Sequence, residues 1–360
     1  MRPSALAASL LLSSPLLGGG VATPAPAAPP PLELRLVTDE AEAVLAILAA
    51  RAAGAAPAEP LFTRLFESEG YRRLARREAA MGRAIDPAAF RAFVLSDALL
   101  SRREALAGAL DRWRTTDLRE AGRRARAYLP AGARLKAAVY PVIKPRDNSF
   151  VFELATDPAI FFYLDPEVPE RKLLNTVAHE LHHVGLGSSC PPAAAGTETA
   201  ALPEGVRRAC RWTSAFGEGL AMLAAAPGPG TNPHADSPAA DRERWDRDVA
   251  AAARDLPQVA AFLLDVARGR LTDAAENERG MSFFGVQGPW YTVGWRMAVT
   301  VEEGLGRERL VSAFCDPRGL IPAYHEAATL LEKRGAATLP RFPGELLSAL
   351  AIDGAPASPR

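Results

Sequence analysis

The chain has 360 residues, 48% of them hydrophobic and 23% charged, which suits a globular protein of one large or two ordinary domains. Lys+Arg and Asp+Glu both number 42, so the formal net charge is zero and nothing favours an overall polyanion-binding surface.

Residues 1–27 read as a signal peptide. Arg2 precedes an apolar run from Ala5 to Leu17, and Gly20-Val21-Ala22 and Ala25-Pro26-Ala27 each fit a signal-peptidase site. The run is too short and too interrupted to span a bilayer, which takes roughly 20 apolar residues. No cysteine stands beside it to carry a lipid anchor. Export to the bacterial periplasm or beyond is expected, with no membrane span left after the signal is removed.

Residues 28–37 read as a Pro/Ala-rich linker and residues 38–129 as a helical N-terminal region. "DEAEAVLAILAARAA", with Asp39 as its N-cap, "EPLFTRLFESEGYRRLARREAAM" and "DPAAFRAFVLSDALLSRREALAGALDRW" carry apolar residues at three- and four-residue spacing. Gly54, Pro60, Gly82 and Pro87 punctuate them. The Arg-rich run "SRREALAGALDRWRTTDLREAGRRARAYL" interleaves acids with bases, as a solvated helix face does, and has no aromatic platform for nucleic acid.

Beyond residue 130 the texture changes, and 130–355 reads as a second domain. "RLKAAVYPVIKP", "SFVFEL" and "AIFFYLD" are short, β-branched or aromatic, and separated by turn signals, so a small sheet is expected over about 132–164. A helix over about 168–184 follows, with Pro169 in its first turn and Gly185 as its stop. Helices then dominate, interrupted by loops at "PGPGTNPHADSP" and "NERGMSFFGVQGP". The fold class expected is α+β, mostly helical.

The helix over 168–184 holds the chemistry. The chain has only 5 histidines, and three of them fall within "TVAHELHHVG". His179, Glu180 and His183 form the pattern H-E-x-x-H. Positions four apart stand one turn above each other, so two imidazoles share a face and can hold one zinc ion at about 2.1 Å. Glu180, beside the first ligand, is placed to act as general base on a water. His182 reads as a polar residue at the helix rim, with contact to substrate or to a carboxylate behind a ligand as its other open role.

Catalytic zinc takes three protein ligands. No third histidine lies where a metzincin would have one, which points to a carboxylate. Glu198 and Glu204 sit in polar or Pro-rich sequence. Glu218 sits in the apolar "SAFGEGLAMLAAA", a helix expected over about 212–225, where a carboxylate is costly unless paired or bound to metal. Glu218 is therefore preferred, with Gly217 and Gly219 letting its helix approach the histidine helix closely. Of three cysteines, Cys190 and Cys210 are the expected pair, closing a loop of about 20 residues worth roughly 3 kcal/mol. Cys315, in an apolar helical pattern, is the expected buried thiol.

H-E-x-x-H followed by a glutamate in an "E-G-x-A" setting resembles the gluzincin zinc peptidases. More narrowly, "LFESEGYRRLARRE", "LLNTVAHELHHVG", "FGEGLAML" and "GPWYTVGWRMAVTVEEGLGRERLVSAFCDP" resemble a bacterial family of Zn-dependent proteases of undefined function. The resemblance implies a gluzincin-like core: a small mixed sheet beside the HExxH helix, with an edge strand able to pair with an extended peptide. It offers "SFVFEL" and "AIFFYLD" as candidates for that edge. It also implies that the helix from "GPWYTVGW" returns to the site, with Tyr291 stabilising the oxyanion and His325 or Tyr324 as fallback. Some gluzincins orient a ligand histidine with an acid four residues after the glutamate; here that position is Met222.

The expected protein is an exported zinc metallopeptidase acting on a peptide or protein. One zinc ion is held by His179, His183 and Glu218, with Glu180 as base. The competing reading is a catalytically silent zinc-containing envelope protein, its site closed by a fourth ligand such as His182, Cys190 or Glu204.

Overall fold

The computed structural model describes residues 31–190, 201–226, 228–316 and 318–350; the expected signal peptide and Glu198 lie outside these. Among the described residues four strands form one sheet in the order β1-β2-β4-β3: β1 (Leu32–Leu36), β2 (Leu135–Val142), β3 (Phe150–Phe152) and β4 (Ala159–Tyr163). β1 and β4 flank β2 in parallel, with Leu34 opposite Ala137 and Tyr140 opposite Phe161. β3 runs antiparallel to β4, with Val151 opposite Ile160. "AIFFYLD" is therefore internal, and of the two edge candidates only "SFVFEL" is an edge.

β1 corrects the expected linker at 28–37. Leu32, Leu34 and Leu36 alternate with the exposed Glu33 and Arg35 in the two-residue period of a half-buried strand. Pro141 is tolerated inside β2 because β1 pairs no further than Leu36 opposite Val139. The Ala138 N–H points toward β4, to the Pro158 carbonyl, so the nitrogen of Pro141 points the other way, past the end of β1.

Helices α1 (Asp39–Ala52), α2 (Glu59–Glu67), α3 (Glu69–Ala80), α4 (Pro87–Val94), α5 (Asp97–Leu100), α6 (Arg103–Thr115) and α7 (Leu118–Arg126) occupy the N-terminal stretch. The stretch from Glu59, expected to be helical, is divided at Ser68, whose hydroxyl accepts the Tyr71 N–H and starts α3. Asp39 is the first residue of α1 rather than its cap, which is Thr38; its carboxylate accepts the Glu40 N–H and also the Glu69 and Gly70 amides at the start of α3.

The sheet is covered on both faces. On one, Val139, Ile160 and Phe162 share a core with Val177, Ala178, Leu181 and Val184 of α8 (Glu170–Ser189). Ile47, Phe90, Leu110 and Trp113 belong to the same cluster, so the expected division at 129/130 runs through one continuous core. On the other face, Tyr140, Phe150 and Phe161 pack with Leu74 of α3.

The remaining helices bury a second core around Leu223, Trp245, Phe262, Trp290 and Tyr324. They are α9 (Glu204–Thr213), α10 (Gly217–Ala225), α11 (Ala239–Ala267), α12 (Asp273–Ser282), α13 (Pro289–Leu305), α14 (Arg307–Cys315), α15 (Leu320–Glu332) and α16 (Gly344–Ala349). α12 runs through part of the loop expected at "NERGMSFFGVQGP". No helix among the described residues is long and apolar enough to cross a membrane.

Two glycines do other work than expected. Gly185 does not stop α8, which continues to Ser189; it is buried where a Cβ would meet Leu129 at 2.1 Å. Gly219 faces α13 rather than the histidine helix, and Gly217 has nothing nearer than ordinary contact with Leu186 at 3.9 Å.

Candidate metal centre

α8 starts after Pro169, whose extended backbone ends the preceding loop, and Glu170 lies in its first turn, where a negative charge suits the helix dipole. Its apolar stripe faces the sheet, which leaves His179 and His183 on a flank that meets α10. There His179 Nε2 and His183 Nε2 lie 3.1 Å apart, and Glu218 Oε2 lies 3.2 Å from each. Among the described residues these three form the one cluster able to hold a metal ion.

The geometry fits a divalent cation. Tetrahedral bonds of about 2.0–2.1 Å hold neighbouring donors about 3.3–3.4 Å apart, close to this triangle. Three atoms bearing lone pairs converge on one point, and a single proton satisfies only part of such an arrangement. Burial alone would lower the His183 pKa, yet the Glu218 charge and hydrogen bond lift it to about 9. Glu218 is driven the opposite way: burial favours its neutral form, but the two imidazoles hold its carboxyl far below the usual range.

Glu180 lines the same cleft, one residue after His179. Tyr291, in the first turn of α13, stacks on His179 with ring centroids 6.2 Å apart and an interplanar angle of 11°. Burial, then the charge and hydrogen bond of Glu218, then the charge of Glu180 raise its phenol pKa well above the ordinary value, so the hydroxyl stays protonated. Its fallbacks are engaged elsewhere. The Tyr324 hydroxyl donates to the Leu339 carbonyl, and His325 Nε2 accepts the Phe342 N–H.

His182 is neither at the helix rim nor in the site. It is wholly buried with Nε2 3.1 Å from the Tyr128 carbonyl, and burial pushes its pKa down to about 3. The helix turns its middle histidine inward, and the backbone carbonyl supplies its acceptor. Glu204 is exposed at the start of α9, outside the cluster. His179 Nδ1 is buried and finds no hydrogen-bond partner among the described residues, in keeping with Met222 where an orienting acid would stand.

The three site residues open on a cleft of about 630 Å³. Its walls include Phe150 and Val151 of edge strand β3, Leu186 of α8, and Phe314 and Leu320 beyond. At its rim lies a disulfide other than the expected Cys190–Cys210 pair. Cys190, next after α8, is bonded to Cys315 at the end of α14, with Cα atoms 4.9 Å apart. Cys210 is the buried free thiol. Nearness in sequence favoured Cys190 with Cys210, but α9 turns Cys210 into the core while the chain's return through α14 brings Cys315 to the cleft.

A family model described as putative zinc dependent peptidase (DUF5700) matches residues 62–333, a span containing every residue of this site. A search of the curated proteins and one of the solved structures each returned no match.

Proposed function

The chain belongs to the putative zinc dependent peptidase family (DUF5700), and on that premise we propose that it hydrolyses peptide bonds with one zinc ion held by His179, His183 and Glu218. The observation that carries this reading is the convergence of two Nε2 atoms and one carboxylate oxygen within 3.2 Å, beside Glu180, in an open cleft. Zinc held by these three residues would supply Lewis acidity, for a scissile carbonyl and for a water that becomes the nucleophile. Glu180 takes the proton from the attacking water and passes it to the leaving amine. The protonated Tyr291 hydroxyl donates a hydrogen bond to the oxyanion. An extended substrate adds as a strand along the free edge of β3, in the manner of a gluzincin.

The same reading holds that the protein is exported, periplasmic or extracellular, after loss of residues 1–27. The Cys190–Cys315 disulfide favours an oxidising compartment. A silent, closed zinc site has less support. Of its candidate fourth ligands, His182 is bonded to a backbone carbonyl, Cys190 is in the disulfide and Glu204 is exposed.

Elemental analysis of purified protein beside its Glu218→Ala and Glu180→Gln variants tests the proposal. The expected result is about one zinc per wild-type chain, loss of zinc in Glu218→Ala, and retained zinc without hydrolysis in Glu180→Gln. A zinc-free wild type after reconstitution, or a Glu180→Gln variant that still cleaves peptides, overturns it.

A further inference from the structure

The geometry points to Arg73 and Arg77 of α3 as positioning residues that hold the substrate-binding edge strand β3 in the cleft. This rests on the peptidase reading and adds to it a task for the N-terminal helices.

β3 is only three residues long and, among the described residues, has one neighbour, β4. So short an end strand is marginal on ladder hydrogen bonds alone. α3 supplies what the ladder lacks. Tyr140 of β2, Phe161 of β4 and Phe150 of β3 stack across one face of the sheet, with centroids 4.8 and 5.2 Å apart. The Arg77 guanidinium sits 3.8 Å from the centre of the last ring.

One helical turn earlier, Arg73 is only 4% exposed and spends both terminal nitrogens on the turn between β3 and β4. Nη1 donates to Tyr140 Oη at 2.9 Å and to Asp157 Oδ2 at 3.0 Å. Nη2 donates to the Glu153 carboxylate and to the Asp157 carbonyl. Glu153, the residue after β3, has φ +56°, a left-handed backbone that a non-glycine residue keeps only where its surroundings hold it. Arg76 reaches the same carboxylate at 3.3 Å. The buried arginine thus pins a strained turn, the turn fixes the end of β3, and Phe150, Val151 and Leu154 present that segment to the cleft.

A peptide that adds to a preformed edge does not have to order it. Freeing two or three residues of β3 transfers that ordering to the binding step and weakens binding by about tenfold or more. Ligands that touch only the metal lose nothing.

The experiment measures binding of two probes to zinc-loaded protein: acetohydroxamic acid, which needs the metal alone, and a dipeptidyl hydroxamate, which also needs the edge strand. Wild type is compared with Arg73→Lys, which keeps the charge but not the fork, and with Glu153→Ala, which serves if the buried substitution prevents folding. Expected is a rise in Kd of about tenfold or more for the peptidyl probe, an unchanged Kd for acetohydroxamic acid, and faster hydrogen exchange confined to residues 149–157. Variants that bind both probes as wild type does, or lose both equally, overturn the proposal. A wild type that gains no affinity from the dipeptide also overturns it while leaving the zinc reading intact. A wild type that holds no zinc removes the peptidase reading itself.

Discussion

Gly219 and Gly294 cross with no side chain between them. A Cβ on Gly219 would stand 2.2 Å from the Gly294 carbonyl carbon and 2.0 Å from the Trp295 nitrogen, and one on Gly294 would stand 2.7 Å from the Phe216 carbonyl oxygen. Backbone meets backbone here, so no rotamer change relieves a collision. The contact fixes the spacing of α10, which carries Glu218, and α13, which carries Tyr291.

Gly219→Ala is therefore expected to force the two helices apart and to cost about 1–3 kcal/mol, the usual range for overpacking. Because Glu218 precedes the contact by one residue, the larger effect falls on zinc. Competition with a chelating dye should show weaker retention in Gly219→Ala and Gly294→Ala, whereas Gly187→Ala, whose Cβ meets nothing within 4 Å among the described residues, should match wild type. Unchanged zinc affinity in both crossing variants would show that the ligand geometry does not depend on this contact.

How far the site was legible in the sequence follows from how local its causes are. His179, Glu180 and His183 lie within one helical turn, so their relation needs only the helix period. Glu218 was found by cost, since a carboxylate in "GEGLAML" needs a partner, though the sequence did not say which helix its flanking glycine touches. What was missed depends on returns of the chain. Cys315 reaches Cys190 across 125 residues. β1 exists only because β2 lies beside it, and His182 faces inward because Tyr128 offers a carbonyl. Arg73 and Arg77 were visible as a one-turn pair in "YRRLARRE", but their partners, Glu153, Asp157 and Phe150, were not.

Glu40 makes stability depend on pH. It is 1% exposed, its Oε2 accepts the Ile143 N–H at 2.9 Å, and its Oε1 has no partner among the described residues. Burial raises its pKa from 4.5 to about 8 despite that hydrogen bond. The folded protein then holds a proton that the unfolded chain gives up. The stabilisation is complete below about pH 4.5 and is lost as pH rises through about 8. Urea unfolding of Glu40→Gln against wild type should show a difference that shifts by a few kcal/mol, in favour of the variant, between those limits. Parallel pH profiles for the two proteins would mean that Glu40 is ionised in the fold.

Tyr291 separates transition-state work from ground-state packing. The phenol ring stacks on His179, and Phe keeps that ring. Only the hydroxyl is lost, and removing one oxyanion donor typically costs about 10²–10³ in kcat. Tyr291→Phe should therefore lower kcat by that factor with KM and zinc content near wild type. A kcat within about twofold of wild type would leave Tyr291 as a packing residue.

The disulfide ties the end of the ligand helix α8 to the end of α14 at the mouth of the cleft. Closing so long a stretch of chain restricts the unfolded state strongly, and loss of such a bond typically costs about 2–5 kcal/mol. Cys190→Ser and Cys315→Ser should each lower the melting temperature by about 5–10 °C, on the scale of about 2–4 °C per kcal/mol for domains of this size. The double variant should fall no further than either single one, because each alone already opens the bond. Peptide mapping without reductant should recover Cys190 linked to Cys315, and denatured protein should react with one thiol reagent per chain, at Cys210. A Cys190–Cys210 peptide in that digest, or three reactive thiols, would overturn the assignment and with it the constraint on the cleft.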